Sequence, residues 1–402
     1  MTHRHRHRLH SDTAHAADDF DVIVVGGGLA GLALAVALRA STLRVAVVEG
    51  SPPHRPEGWD ARIYAVSPAN ARFLEAIGVW PHLDANRIAP VQRMEVHGDA
   101  GGRLDFSAWD SGVGELAWIV EAALMLEELR ESAKRQANLT LLCPARPAGL
   151  DIGPERATLK LDDGRVLAGR LVVAADGADS WTRTAAGIEV DFAPYGQLGV
   201  VANFACEKPH RDTAFQWFRD DGSVLAWLPL PGNLISMVWA TGEAQAAELT
   251  ALPPAELCAR VAAAGGRRLG RLDLVTPAAG FPLRLMRAPR MVASRLALIG
   301  DAAHAIHPLS GHGINLGFQD ARVLAEVLAG RPAHVDCGDA AWLRRFERAR
   351  KEEIVALQSV TDGLQKLFSL PGVPFSVLRN AGLNLTNRLP VIRDALVRYA
   401  MG

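Results

Sequence analysis

Two short stretches of this chain hold residue types that chemistry needs at useful spacing. The first is Asp21-Val-Ile-Val-Val-Gly26-Gly27-Gly28-Leu29-Ala30-Gly31, in which Gly26, Gly28 and Gly31 fit G-x-G-x-x-G between a β-branched run and a run of small apolar residues. In that pattern Gly26 permits a tight turn, Gly28 lets backbone amides approach a pyrophosphate, and Gly31 lets helix pack on strand. The positive end of the helix dipole then faces the phosphates. Glu49 closes the next apolar run, Leu43-Arg-Val-Ala-Val-Val-Glu49, where a carboxylate accepts hydrogen bonds from a ribose. The second stretch is Ala297-Leu-Ile-Gly300-Asp301-Ala302-Ala303-His304, followed by Pro308 and by Gly311-His312-Gly313-Ile314-Asn315-Leu316-Gly317. Asp301 can accept bonds from the hydroxyls of a sugar alcohol. The loop 311–317 opens a helix whose amides suit a flat ring that becomes anionic on reduction. Together the two stretches point to FAD.

Two further segments carry weaker signals. Asp60-Ala-Arg62-Ile-Tyr-Ala65-Val-Ser67 offers Arg62 to the phosphate–ribose part of a cofactor, or equally an ordinary surface arginine. Leu171-Val-Val-Ala-Ala-Asp176-Gly177-Ala178-Asp179-Ser180-Trp-Thr-Arg183 again delivers an acid to a strand end, where ligands of open α/β sheets bind; the plainer reading is a capped turn. His304, His307 and His312 invite a metal, but no carboxylate partner is evident and no metal site is expected.

Composition frames these motifs. The chain has 402 residues, 49% hydrophobic and 22% charged, enough for two or three domains with a large core. A net charge of −1 implies no nucleic-acid partner. Cys143, Cys206, Cys258 and Cys337 form no CxxC pair, which fits a reduced, cytoplasmic setting. Five histidines at positions 3, 5, 7, 10 and 15 read as a disordered start or tag rather than a metal site, and no secretory h-region follows them. No apolar run is long enough to span a bilayer.

The pattern of elements predicts an α/β chain. A strand at 22–25, a helix at 29–40 and a strand at 43–49 form a βαβ unit. Hairpins are expected at 91–110, turning at Asp99–Gly102, and at 156–169, turning at Asp162–Gly164; 115–137 reads as helix. Strand-like runs over 198–241 contain Trp217, Trp227 and Trp239, either core or the wall of a dry cavity. A strand at 295–299 and helices at 313–329, 342–369 and 376–400 complete the reading. The expected organisation is a tail at 1–18, a discontinuous Rossmann-type (GR2-like) FAD-binding domain at 19–90, 112–188 and 286–345, an inserted β-rich substrate domain at 91–111 and 189–285, and C-terminal helices at 346–402. Segment 376–402 carries Arg379, Arg388, Arg393 and Arg398 against Asp394 among leucines, a composition that suits an anionic membrane surface or packing on its own domain.

The ordered set GxGxxG, Asp-Gly-x-x-Ser-x-x-Arg and Gly-Asp-Ala-x-His…Pro…Gly-x-Gly-x-Asn-x-Gly…Asp320 resembles the single-component FAD-dependent aromatic hydroxylases, of which para-hydroxybenzoate hydroxylase is the familiar example. The strings Asp60-x-Arg62-x-x-Ala65-x-Ser67 and Gly313-Ile-Asn315-Leu-Gly317…Asp320 resemble more narrowly the 2-polyprenylphenol hydroxylases of ubiquinone biosynthesis. The resemblance implies FAD held by Gly26, Gly28, Gly31, Glu49, Arg62, Asp176 and Asp301. The 176–183 element, with Gly177 and Arg183, would serve flavin and nicotinamide. Segment 308–317, with Gly311, Gly313, Ile314 and Asn315, would line the ring, with Pro308 near the substrate. It implies NAD(P)H as donor, O2 as oxidant, a flavin C4a-hydroperoxide, and hydroxylation of a polyprenylated phenol. Tyr195 and His312 are the candidates for a base. The competing expectations are a small soluble aromatic substrate, or a non-catalytic quinone- or lipid-binding accessory protein. A place on the inner membrane or in a biosynthetic complex would suit a prenylated substrate. Two departures stand out: His312 where the family has Gln, and Ala122 where it has a polar residue. Trp227-Leu-Pro229 does not match the Trp-x-Trp-x-Ile-Pro of flavin halogenases.

Overall fold

In the computed structural model, residues 18–305, 313–369, 373–389, 393, 396 and 397 are described. Two large sheets organise them. In the first, Val292–Ala293, Leu296–Leu298, Val166–Ala174, Asp18–Val25, Val45–Val48 and Leu139–Leu142 lie side by side. The four central pairings among Leu296–Leu298, Val166–Ala174, Asp18–Val25, Val45–Val48 and Leu139–Leu142 are parallel. Val22, Ile23 and Val24 are 0% exposed, as are Val45, Ala46 and Val47. Strands covered on both faces read as continuous apolar runs, which is why they were recognisable. The helix Leu29–Ala37 follows the first strand and packs on Gly313–Ala329 and Ala122–Lys134. Small residues permit the approach: a Cβ on Gly317 would lie 3.3 Å from the Ala30 Cβ.

The second sheet runs His304–Ala305, Ala279–Arg287, Asp191–Cys206, Leu234–Gly242, Val224–Leu230, Thr213–Phe218, Arg93–His97 and Arg103–Ser107. It is antiparallel except where Thr213–Phe218 meets Arg93–His97. A three-stranded sheet of Ile63–Val66, Ala117–Glu121 and Ala89–Val91 joins the two. The strand Ala117–Glu121 corrects the helix expected over 115–137. That helix begins only at Ala122, because Trp118 and Ile119 pair with both neighbouring strands and Val120 with one.

Period-two alternation gives the second sheet two different faces. Trp227 and Trp239, 0% and 1% exposed, point to the face covered by the helices Glu243–Ala251 and Pro254–Ala264, and Trp217 packs at their edge. These tryptophans are core, not cavity wall. A Cβ on Gly265 would sit 2.1 Å from the Trp227 ring, so glycine is required there.

The long helix Ala340–Ser369 buries Leu357 and Phe368, whereas Val360 is exposed. The helix Val373–Asn387 docks on the hairpin Arg93–Ser107. Arg379 is buried against Asp99, and Arg393 lies 3.8 Å from Asp110. Of the two readings of this segment, membrane surface or own domain, Arg379 and Arg393 follow the second, each meeting one of the protein's own acids. No described helix is long and apolar enough to cross a bilayer.

Candidate functional site

The register of the parallel sheet sets the site. Val25 aligns with Val48 and Ala174, Val48 with Leu142, and Ala174 with Leu298. Ladder bonds then run on into the loops: Gly26 N donates to the Val48 carbonyl at 2.8 Å, Ala175 N to that of Val25 at 2.8 Å, and Ile299 N to that of Ala174 at 3.0 Å. Three loops distant in sequence therefore leave the sheet at one edge, carrying Gly26–Gly28, Asp176–Gly177 and Gly300–Asp301, with Glu49 beside them.

Glycine is needed at two of these positions for steric reasons. Gly26 has φ +107°, and a Cβ there would lie 2.3 Å from the Ala175 carbonyl oxygen; a Cβ on Gly31 would lie 2.1 Å from that of Gly26. Gly28 differs, because nothing lies within 4 Å of its Cβ position. It is the N-cap of Leu29–Ala37, which has no side-chain cap, so the first-turn amides remain available to an anion. Glu49 accepts from Gly27 N at 2.7 Å with one oxygen and from Ser51 N at 2.9 Å with the other, leaving further lone pairs.

Asp176 is engaged with its own loop, and Arg183 with two loops. Asp176 accepts from the Ser180 hydroxyl, and from Thr182 N and Oγ1 at 2.9 Å each. Gly177 follows with φ +85°. Arg183 is buried and has no carboxylate partner among the described residues. Its guanidinium donates to the carbonyls of Ala302 at 3.0 Å and Ala178 at 2.9 Å, tying the Asp176 loop to the Asp301 loop. Desolvation lowers its pKa, while Asp176 and Asp179 oppose that.

Asp301 opens onto the edge but is walled by protein on its other sides. This desolvation raises its pKa, with Asp320 adding to the rise and His304 and Arg62 opposing it. Arg62 is exposed, lies 5.4 Å from the centre of the Phe281 ring, and is held by Asp60, whose Oδ1 accepts from its backbone N at 2.8 Å. Asn315 accepts from Ser67 N at 2.9 Å and donates to the Ala65 carbonyl at 2.8 Å; Ile314 packs on the core, and Gly313 starts the helix with open space around it. Pro308, Gly311 and His312, like His307, lie outside the described residues. Tyr195 belongs to the strand Asp191–Cys206, and its side chain is not among those described. No group of metal-binding residues occurs among the described ones.

Behind Gly300 lies a buried network that the sequence reading did not identify. Asp320, 0% exposed, accepts from Gly300 N at 2.9 Å and His304 Nε2 at 2.6 Å with one oxygen, and from Arg350 Nε at 2.8 Å with the other. Burial pushes its pKa up, but His304 and Arg350 outweigh it and hold the carboxyl below the usual range. Arg350 also donates to Gln319 Oε1 at 3.0 Å and to Glu353. His304 and Asp320 stand in the quoted motifs; nothing local marks Arg350.

Beside this edge is a cavity of about 400 Å³. One side comes from Ile63, Tyr64, Ala65, Ser67, Gly313 and Asn315. The other is the second sheet's free face, where Gly199, Val201, Ala214, Val224, Ala226 and Ala240 alternate with the buried aromatics. Small side chains on that face create the volume. Leu396 and Val397 close part of it. No described lining residue is a cation.

Comparison with known proteins agrees with this geometry. Residues 19–352 match the family model described as FAD binding domain. The chain is 34% identical over 385 residues to "Ubiquinone hydroxylase UbiL" of Rhodospirillum rubrum, covering 95% of this chain and 89% of that one. It is 33% identical over 392 residues to "3-demethoxyubiquinol 3-hydroxylase" of Escherichia coli, covering 95% and 98%. This chain belongs to the FAD-dependent aromatic hydroxylases. Among solved structures, PqsL of Pseudomonas aeruginosa in complex with 2-aminobenzoylacetate superposes with a TM-score of 0.75 at 25% identity, over 91% of this chain and 99% of that one. The p-nitrophenol 4-monooxygenase PnpA of Pseudomonas putida shares the fold, with a TM-score of 0.77 at 18% identity over 96% and 99%. This flavoprotein is thus a monooxygenase, and the glycine cradle, Glu49 and Asp301 fit the group its family binds.

Proposed function

We propose that the protein hydroxylates the ring of a polyprenylated phenol in ubiquinone biosynthesis, using O2 and electrons from NAD(P)H. The observation that carries this reading is the cavity: apolar, without a described cation, and lined on one side by Tyr64, Gly313 and Asn315. A small aromatic acid would bring a carboxylate that such a wall leaves unpaired, at a cost of several kcal/mol, roughly. The relatives named as ubiquinone hydroxylases support the same substrate class.

In this reading the amides after Gly28 hold the pyrophosphate, Glu49 the adenosine ribose and Asp301 the ribityl chain. Bound FAD supplies the activation of dioxygen. The chain orients the ring and keeps water out: Val224, Ala226, Ala240, Phe281 and Leu283 form a dry wall, and Leu396 with Val397 covers it. Leu396 is also 42% exposed, and Val377, Leu378 and Leu385 on the docked helix are 59–63% exposed. These exposed apolar side chains support a lipid surface as the source of substrate.

The test is product formation by the FAD-loaded enzyme on matched phenols with and without a prenyl tail. Preferential hydroxylation of the tailed phenol is expected. Equal turnover of both, or turnover of the tail-less phenol alone, would remove the reading. Flotation with anionic liposomes, lost in a Leu378→Glu/Leu385→Glu variant, is expected if the lipid surface is real; unchanged flotation would discard it.

A further inference from the structure

We propose that Gln216 recognises an oxygen substituent on the substrate ring through its side-chain carboxamide. The inference rests on the function proposed above and names the group that reads the ring. Gln216 lies in the strand Thr213–Phe218, is 7% exposed, and lines the cavity. Its ladder neighbours are Val96 and Ala226, neither of which offers a polar side chain. On its own strand, Ala214 and Phe218 share its face; Phe215 and Trp217 point the other way. Among the described residues its carboxamide, with two donors and an acceptor, makes no hydrogen bond to protein, and it faces the cavity. Nothing in the packing of the strand requires it, since alanine and valine fill the equivalent places beside it.

Four described lining residues carry oxygen- or nitrogen-bearing side chains: Tyr64, Ser67, Gln216 and Asn315. Ser67 and Asn315 are engaged with Asn70 and the Ala65 carbonyl. Tyr64 stands on the cofactor side, close enough to Asp301 for that acid to raise its pKa beyond the larger effect of burial. Gln216 is thus the polar group of the sheet floor. A carboxamide both donates and accepts, which matches a neutral hydroxyl, methoxy or carbonyl oxygen. An apolar cavity selects for the hydrocarbon, and one unpaired amide in it selects against a ring lacking oxygen, because that ring would leave the amide unsatisfied.

The probes are 2-farnesylphenol and farnesylbenzene, titrated against FAD-loaded protein with flavin fluorescence as readout. Wild type is expected to bind the phenol at least tenfold more tightly. In Gln216→Leu the preference should fall to within twofold, with farnesylbenzene affinity and FAD content unchanged. Gln216→Met provides the same deletion with a more adaptable side chain should the leucine variant not fold. Retention of the tenfold preference in either variant overturns the proposal, as does an equal loss of affinity for both compounds. If wild type binds neither tailed compound, the proposed function falls as well, so the two failures are distinguishable.

Discussion

The parallel and antiparallel sheets of this protein put function in different places. The central strands of the parallel sheet are buried on both faces, so ligands can meet only their ends. Its site residues follow directly after strands: Gly26 after Val25, Glu49 after Val48, Asp301 after Leu298 and Ile299. The antiparallel sheet packs one face on the helices Glu243–Ala251 and Pro254–Ala264 and leaves the other to the cavity. There the functional surface is made of alternate residues from several strands. A site at strand ends is written as contiguous motifs; a site on a sheet face is scattered through the sequence.

The contrast can be broken at either sheet. Asp320→Leu takes the acceptor from Gly300 N, His304 and Arg350 together; a cost of about 3–5 kcal/mol in urea unfolding is expected, with loss of bound FAD. Wild-type stability and flavin content would show that the loop holds itself. On the antiparallel sheet, Trp227→Ala should also lose about 3–5 kcal/mol in stability but keep FAD in the protein that remains folded. Loss of FAD from folded Trp227→Ala protein would mean that the two sheets are not separable in this way. Ala226→Phe, on the opposite face, should overpack by about 1–3 kcal/mol, keep FAD, and raise KM for the tailed phenol at least tenfold. An unchanged KM would place the substrate elsewhere.

The smallest expected effect is at Asp99. The Arg379 hydrogen bond, helped by Asn380 and Ser376 against the opposing effect of burial, holds its carboxyl well below the usual range. A carboxylate with a depressed folded pKa stabilises fully above its unfolded value, near pH 4 or so, and the contribution disappears only as pH falls through the folded value. Docking of Val373–Asn387 should thus persist to acid pH, and Asp99→Asn should loosen that helix by about 1–2 kcal/mol in hydrogen exchange. Unchanged protection would assign the docking to Leu383 and its apolar neighbours.

Legibility followed the same division. The βαβ unit, both hairpins and the helix Gly313–Ala329 were readable because each has a local period, turn residues and a bounded length. The strand Ala117–Glu121 was not, since Ala-Trp-Ile-Val-Glu runs straight into a helical pattern and only its pairing partners separate the two. Asp176 and Arg183 were expected to serve the cofactor, but the sequence could not show that Asp176 braces its own loop and that Arg183 ties that loop to the Asp301 loop. Gln216 did carry a faint signal, a polar residue between Phe215 and Trp217, on the same alternation as Ala214. Without the cavity that signal has no meaning.

The amino-acid order alone determined that glycines follow a buried strand and open a helix, that acids terminate other strands, and hence that a dinucleotide cofactor belongs here. Those are short-range facts, fixed by sterics and dipoles within a few residues. Which face of the second sheet stays open, which side chains line the cavity and which buried charges brace the Asp301 loop depend on contacts between residues far apart in the chain. His304, Asp320 and Arg350 meet only once the sheet edge and two helices have packed, so that arrangement belongs to the tertiary structure.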